Sequence, residues 1–163
     1  MSSEKYSFEY EVFDSIDNLN VEDASLLKKA RETTDLAYAP YSNFHVGAAA
    51  KLNNGEVVIG SNQENASFPV GICAERSLLA STSALFPNIP IKTMAISYHN
   101  HNQGATSSRP ISPCGMCRQS LLDYEGRFQQ PIRLILSGQD GKVYVIKKSS
   151  MLLPFSFTGE DLK

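Results

Sequence analysis

The chain has 163 residues, of which 42% are hydrophobic, and this length predicts a single domain, 1–163, with one sizeable core. Its 15 Lys and Arg residues face 17 Asp and Glu residues, which excludes the excess positive charge that binding a polynucleotide requires. No segment has the roughly 20 apolar residues of a membrane span or the apolar core of a signal peptide, so we expect a cytoplasmic protein without nucleic-acid or membrane partners.

The first twenty residues predict an N-terminal extension that contains an additional strand. Tyr6, Phe8, Tyr10 and Val12 alternate with polar residues, a pattern typical of a strand with one apolar face. Such a strand would cover either a sheet edge or a subunit contact. Residues 21–163 are predicted to form the core of the domain.

The core sequence predicts helices interspersed with strands. Apolar positions recur at helical spacing from Glu22 to Tyr38, with Asn20 or Asp23 available as a cap. The following strands and helices are separated by turn signals, of which the Asn-Gly step at 54–55 is the strongest. Their predicted bounds are His45–Leu52, Glu56–Gly60, Cys73–Leu85, Thr93–Tyr98, Cys114–Tyr124, Ile132–Leu136 and Val143–Lys147. This order indicates an α/β fold in which one mixed sheet is covered by helices.

A polar stretch, 99–112, is longer than most connections in a compact domain. It predicts either a mobile rim of a site or a tolerated insertion. Its two histidines, His99 and His101, are interpreted as solvated loop residues rather than metal ligands, and His45 is assigned no role.

Three cysteines give the first indication of chemistry. They cannot all pair within one chain, and a reducing compartment disfavours disulfides. The Cys-x-x-Cys motif of Cys114 and Cys117 is, by itself, typical of a redox pair or buried thiols as well as of a metal site. Cys73 supplies a third sulfur, and all three are predicted at helix starts, where the helix dipole stabilises thiolates.

The three cysteines predict a metal site with an open position. Structural zinc sites usually have four protein ligands, whereas catalytic sites keep one position for water. If His99 or His101 supplied a fourth ligand, the chain would instead be a non-enzymatic zinc module. Glu75, two residues beyond Cys73, is placed to exchange protons beside the metal, although such an acid can also merely complement the helix dipole.

Four motifs resemble those of the cytidine deaminase family. Two contain the residues just named, Cys-Ala-Glu-Arg at 73–76 and Pro-Cys-Gly-Met-Cys-Arg-Gln at 113–119. The segments 38–48 and 62–65 resemble two further family motifs, and the likeness extends from about residue 30 to residue 163. The implied fold is a single mixed five-stranded sheet flanked by helices.

The resemblance implies a zinc-dependent enzyme of pyrimidine salvage. The implied reaction is hydrolytic deamination of free cytidine and deoxycytidine to uridine and deoxyuridine, with release of ammonia. One Zn²⁺ per subunit would be held by Cys73, Cys114 and Cys117, with Glu75 as the proton carrier. A polynucleotide-editing or other pyrimidine deaminase is the alternative, and the acidic composition argues against the former.

The resemblance also implies substrate contacts. Phe44 would pack on the nucleoside, Asn62 and Glu64 would bind the ribose hydroxyls, and Ala74 would line the substrate site. The family's three-cysteine members are homotetramers in which a tail aromatic reaches a neighbouring site. Phe157 is the candidate for that aromatic.

Other positions leave alternatives open. Phe155 is close enough to Phe157 to take the same role, and Arg76 is either a hydrogen-bond donor to the sulfurs or a solvated arginine. Gln63 departs from the family pattern, because alternation directs its polar group to the buried face, where it needs a partner. Phe68 stands where relatives often have Tyr, so we expect one hydrogen bond to the 5′ side of the sugar to be missing.

Overall fold

In the computed structural model, which describes residues 1–163, a six-stranded mixed sheet lies between helix α1 and helices α2 and α3. The helices are Val21–Thr33 (α1), Ala74–Leu85 (α2) and Gly115–Phe128 (α3). The strands are Glu11–Phe13 (β1), Phe44–Leu52 (β2), Val57–Ser61 (β3), Ile91–Asn100 (β4), Arg133–Leu136 (β5) and Val143–Ile146 (β6). They are arranged in the order β1-β6-β5-β4-β2-β3, with β4 and β5 parallel and every other pair antiparallel. No helix is both long enough and apolar enough to span a membrane.

The core helices and strands confirm the predicted α/β fold. Helix α1 begins after Asn20, whose side-chain oxygen accepts a hydrogen bond from the backbone N–H of Asp23. It ends at Thr33 rather than Tyr38, because residues 34–36 tighten into a 3₁₀ turn. Gly55 has a φ of +91° in the turn between β2 and β3, the backbone conformation that the Asn-Gly signal predicted.

Side-chain alternation along the central strands separates two apolar layers. Ala48 of β2 belongs to the cluster that contains Leu78 of α2. Ala49 and Ala95 belong to the cluster that contains Leu27 of α1. Even-numbered residues of β2, and of β4 from Thr93 onward, therefore face α2 and α3, and odd-numbered residues there face α1.

The sheet has one strand more than the five implied for the core, because residues 11–13 of the N-terminal extension pair with β6. The additional strand is confirmed, but residues 1–10 form no strand, so the prediction from Tyr6 onward was too long. The rings of Tyr6, Phe8 and Tyr10 instead form a row, with centroid distances of 6.5 Å between Tyr6 and Phe8 and 6.2 Å between Phe8 and Tyr10. The centroid of the Tyr10 ring lies 5.0 Å from that of Tyr144 in β6. The extension thus covers the β6 edge of the sheet.

The long connection before α3 is anchored to a neighbouring turn. Strand β4 continues to Asn100, whose N–H donates to the Ser107 hydroxyl at 2.9 Å. The Ser107 carbonyl accepts a hydrogen bond from the N–H of Gln139 at 2.7 Å. The connection therefore begins two residues later than predicted, at His101, and it packs on the turn between β5 and β6.

Gly60 sets the close approach of α2 to the sheet. A Cβ atom at this position would lie 2.6 Å from the carbonyl oxygen of Ala74 and 2.6 Å from the backbone nitrogen of Leu78. We expect Gly60→Ala to cost about 1–3 kcal/mol of unfolding free energy and to displace the first turn of α2. Urea unfolding and the zinc content of the purified variant measure the two effects.

Gly126→Ala is the matched control, since a Cβ atom there meets nothing within 4 Å. Because alanine favours helix over glycine, this change is expected to stabilise the chain slightly, by about 0.5–1 kcal/mol. Equal unfolding curves for wild type and Gly60→Ala would contradict the prediction.

Candidate active site

The three cysteines lie together at the N-terminal ends of α2 and α3. Cys73 caps α2, Cys114 caps α3, and Cys117 is buried in the first turn of α3. The Sγ atoms of Cys73 and Cys114 are 3.9 Å apart, those of Cys114 and Cys117 are 3.5 Å apart, and all three lie within 4.8 Å of one another. Tetrahedral zinc with Zn–S bonds of about 2.3 Å requires sulfurs about 3.8 Å apart. The cluster therefore has the dimensions of a zinc site.

The electrostatics of the sulfurs also fit a cation. Hydrogen bonding from Cys117 lowers the pKa of Cys73 to about 6, and the nearby positive charge of Arg76 adds a smaller lowering. The same contact with Cys73, together with burial, raises the pKa of Cys117. Three thiolates so close together repel one another, so all three lose their protons only when a cation binds between them.

Glu75 places a buried carboxyl group beside the sulfurs. It lies in the first turn of α2 with 5% of its surface exposed. Burial raises the pKa of Glu75, while its own backbone N–H and the Cys117 thiol partly offset that rise. A carboxyl group with a raised pKa is suited to both accepting and releasing a proton.

Two arginines near the cluster differ in their contacts. Arg76 makes no hydrogen bond to a sulfur and acts on Cys73 through its charge. Arg118, to which we assigned no role from sequence, donates to the carbonyls of Pro113 at 2.9 Å and Leu152 at 3.0 Å, and to the Ser112 hydroxyl at 3.0 Å. It therefore links the start of α3 to the C-terminal segment, and only its position next to Cys117 could have suggested this.

Asn62 holds the beginning of β2. Its side-chain oxygen accepts a hydrogen bond from the N–H of Val46 at 2.7 Å, and its side-chain nitrogen donates to the carbonyl of Phe44 at 2.9 Å. Phe44 is an even-numbered residue of β2 and lies on the face of the sheet covered by α2 and α3. Its ring stacks on that of Tyr98, with the ring centroids 4.9 Å apart. Asn62 thus positions the strand that presents Phe44, a structural role that sequence reasoning missed.

Glu64 is anchored to the loop before β2. One of its oxygens, Oε2, accepts hydrogen bonds from the backbone N–H groups of Tyr41 at 2.9 Å and Ser42 at 3.3 Å. The Ser42 side chain and these amides lower the pKa of Glu64. The other carboxylate oxygen has no partner within the chain and is available to a ligand.

The polar group of Gln63 has the partners that we expected it to need. Its side-chain nitrogen donates to the Leu36 carbonyl at 3.2 Å and to the Ser61 hydroxyl at 3.0 Å. The residue is nevertheless exposed, so the buried position inferred from alternation was wrong. The strand ends at Ser61, and alternation no longer determines the direction of the side chain there.

The remaining predicted residues divide into buried and exposed ones. Ala74 is fully buried at the start of α2. Phe155 and Phe157 of the C-terminal segment are 97% and 59% exposed, and the side chain of Gln119 donates to the Phe157 carbonyl at 2.8 Å. Phe68 is 75% exposed, with its ring 5.9 Å from that of Tyr41.

No histidine joins the three cysteines. His99 lies in β4 rather than in a loop, and as an odd-numbered residue of that strand it lies on the face of the sheet covered by α1. The interpretation as a solvated loop residue was therefore wrong for His99, whereas His101 lies exposed in the loop, with its ring centroid 3.9 Å from that of His99. Three convergent thiols and a buried carboxyl group, without a fourth protein ligand, define the class of hydrolase that activates water at a metal centre.

Comparison with known proteins identifies the family. A family model described as the cytidine and deoxycytidylate deaminase zinc-binding region matches residues 20–127. The chain is 34% identical to a cytidine deaminase from Halalkalibacterium halodurans, over 84% of this chain and 95% of that protein. It is 36% identical to a cytidine deaminase from Mycoplasma genitalium, over 80% of this chain and 85% of that protein. A crystal structure of cytidine deaminase from Burkholderia pseudomallei superposes with a TM-score of 0.71 at 35% identity, covering 85% of this chain and all of that one.

The chain therefore belongs to the cytidine and deoxycytidylate deaminase family. This membership confirms the resemblance, the fold and the assignment as a hydrolytic deaminase. It also confirms zinc as the cofactor, for which the cysteine cluster is the matching site.

Proposed function

We propose that the chain deaminates free cytidine and deoxycytidine to uridine and deoxyuridine, as an enzyme of pyrimidine salvage. The observation that carries the proposal is the cluster of Cys73, Cys114 and Cys117 beside the buried carboxyl group of Glu75. The proposed catalytic domain is the whole chain, 1–163, with the core at 21–163 and the extension at 1–20.

Each of the four residues has a defined task in this reaction. The three Sγ atoms would hold one Zn²⁺ per subunit, and the ion supplies activation of water as a nucleophile. The Glu75 carboxylate accepts one proton from the attacking water and delivers it to N3 of the cytosine ring, then accepts the second proton from the hydroxyl on C4 and delivers it to the departing amino group. The C4–O bond forms and the C4–N bond breaks, so water is consumed and ammonia leaves.

The substrate contacts are proposed from groups that the fold leaves available. Phe44 is half-buried and would pack on the nucleoside. The second N–H of the Asn62 amide and the unpartnered oxygen of Glu64 would bind the ribose hydroxyls. Ala74, which is fully buried in the single chain, is proposed to border the base end of the site next to Glu75.

We propose a homo-oligomer, specifically a tetramer, in which a neighbouring subunit completes each site. Cys114, Phe68 and Phe157 are all exposed in the single chain. A cavity of about 1020 Å³ lies between α3 and the C-terminal segment and is lined by none of the proposed site residues. Phe157 is proposed to reach the neighbouring site.

Charge and thiol chemistry support the proposed substrate class and the proposed compartment. The net charge of −2 supports a free nucleoside rather than a nucleic acid as substrate. Three unpaired cysteines support a reducing compartment, the cytoplasm. Arg76 is proposed to offset the negative charge of the three thiolates.

The test is turnover by the purified chain of known zinc content. We expect loss of the cytosine absorbance with cytidine and with deoxycytidine, no change with a cytosine-containing single-stranded oligonucleotide, and one zinc ion per chain. Turnover of the oligonucleotide alone would overturn the substrate class. Full zinc content without turnover of any cytosine compound would overturn the enzymatic proposal, and light scattering would test the tetramer.

A further inference from the structure

All three histidines of the chain meet on the face of the sheet opposite to the cysteines. His45 and His99 are direct partners in the antiparallel register of β2 and β4. Both are odd-numbered positions, which lie on the face of the sheet covered by α1. His101 lies two residues beyond His99, and its backbone N–H extends the pairing by donating to the Asn43 carbonyl at 2.9 Å. The three side chains are therefore brought together by strand register.

The His101 ring contacts the rings of the other two histidines. The centroid of the His101 ring lies 4.5 Å from that of His45 and 3.9 Å from that of His99. The Nδ1 atom of His45 lies 3.3 Å from the carbonyl oxygen of Thr34. This contact favours the tautomer that donates from Nδ1, and it leaves Nε2 with a free lone pair. Orientation of one ring nitrogen by a backbone carbonyl is characteristic of histidines that bind metal through the other.

The ring of His101 is accessible to solvent and favours its neutral form. The side chain of His101 is exposed. Partial burial of its ring and the charges of His99 and His45 lower its pKa, and the charge of Asp35 opposes that change. Neutral imidazoles are the form that binds metal.

We propose that His45, His99 and His101 form a second metal site, which binds one divalent transition-metal ion. Imidazole nitrogen suits Zn²⁺, Ni²⁺ and Cu²⁺, whereas Mg²⁺ and Ca²⁺ prefer oxygen ligands. The His101 ring lies at 69° to that of His45 and at 35° to that of His99, so binding requires the rings to turn until one nitrogen of each points to the ion, which the exposed side chain of His101 allows. Since His45 is adjacent to Phe44, a bound ion would stabilise the beginning of β2.

The experiment is calorimetric titration of the zinc-loaded protein with Ni²⁺. We expect one further equivalent of Ni²⁺ per chain, without the thiolate-to-metal charge-transfer absorption that binding to the cysteines would produce. Removal of one ligand in His101→Ala should weaken Ni²⁺ binding at least about tenfold, as should titration near pH 5, where imidazole is protonated. The Ni²⁺-dependent rise in melting temperature should disappear in the same variant.

Gln103→Ala is the matched control, an exposed residue of the same loop whose side chain makes no hydrogen bond. It should bind Ni²⁺ as the wild type does, and zinc content and cytidine turnover verify that each variant is folded. No second equivalent in the wild type, or an unchanged affinity in a folded His99→Ala/His101→Ala variant, would overturn the proposal. A charge-transfer band with the second equivalent would overturn it as well, because it would locate the ion at the cysteines.

Discussion

Replacing Glu75 by glutamine is expected to lower kcat for cytidine by about 10²- to 10⁴-fold while the zinc content stays at the wild-type value. Glutamine has nearly the same shape and fills the same buried space at the start of α2. Its amide cannot exchange a proton at the pH of the reaction, so only the proton transfers are removed. Steady-state turnover and metal analysis of the same preparation measure the two quantities.

Glu56→Gln provides the control for the Glu75 experiment. Glu56 is exposed in the turn between β2 and β3, away from the cysteine cluster, and the same chemical change there should leave both quantities unaltered. A Glu75→Gln variant with normal turnover would remove Glu75 from the reaction. A variant that loses zinc together with activity would show that the carboxylate supports the metal site instead.

Replacing Glu125 by alanine is expected to lower the free energy of unfolding by about 3 kcal/mol or more. The Glu125 side chain is buried in α3 and accepts hydrogen bonds from the N–H groups of Ile132 at 2.8 Å, Ser149 at 2.9 Å and Ser150 at 3.3 Å, and from the Ser149 hydroxyl at 2.8 Å. Alanine would leave these donors without partners in the interior, and each such group is costly. For a chain of this length, the melting temperature should fall by about 6–12 °C.

The neighbouring Asp123 offers the control for Glu125. It is exposed on the same helix and makes no hydrogen bond, so Asp123→Ala should change stability by no more than about 0.5 kcal/mol. Because Glu125 ties α3 to residues 149 and 150, limited proteolysis of Glu125→Ala should cut the C-terminal segment first. Equal unfolding midpoints for Glu125→Ala and wild type, at equal protein concentration, would show that these hydrogen bonds contribute little.

The helices and strands of the core were predictable because each has a local signal. Hydrophobic periodicity, the Asn20 cap and the turn containing Gly55 depend on neighbouring residues, and the structure confirms them within a few positions. The N-terminal alternation was misleading over residues 1–10, where aromatic side chains pack on the edge of the sheet without continuous backbone pairing. An alternating pattern reports a surface with one apolar side, and a strand is only one way to produce it.

The candidate site was predictable in its chemistry and less so in its supports. The cysteines and Glu75 have short spacings at helix starts, and their residue types suffice to suggest metal and proton chemistry. Their roles in catalysis stay predictions for the experiments above. The same holds for the substrate contacts proposed for Phe44, Asn62, Glu64 and Phe157. Arg118 and Glu125 were missed, because the sequence does not distinguish a charged residue that is anchored by tertiary contacts from one in solvent.

By itself, the sequence determined the class of fold, the family and the chemistry of the metal site, since these depend on local patterns and on residue types. Only the tertiary structure decided that Asn62 holds β2, that Arg118 reaches Leu152 and that three histidines meet on one face. Each of these contacts joins residues far apart in the chain. They arise from strand order and register, which place His45 opposite His99. No local pattern in the sequence encodes that pairing.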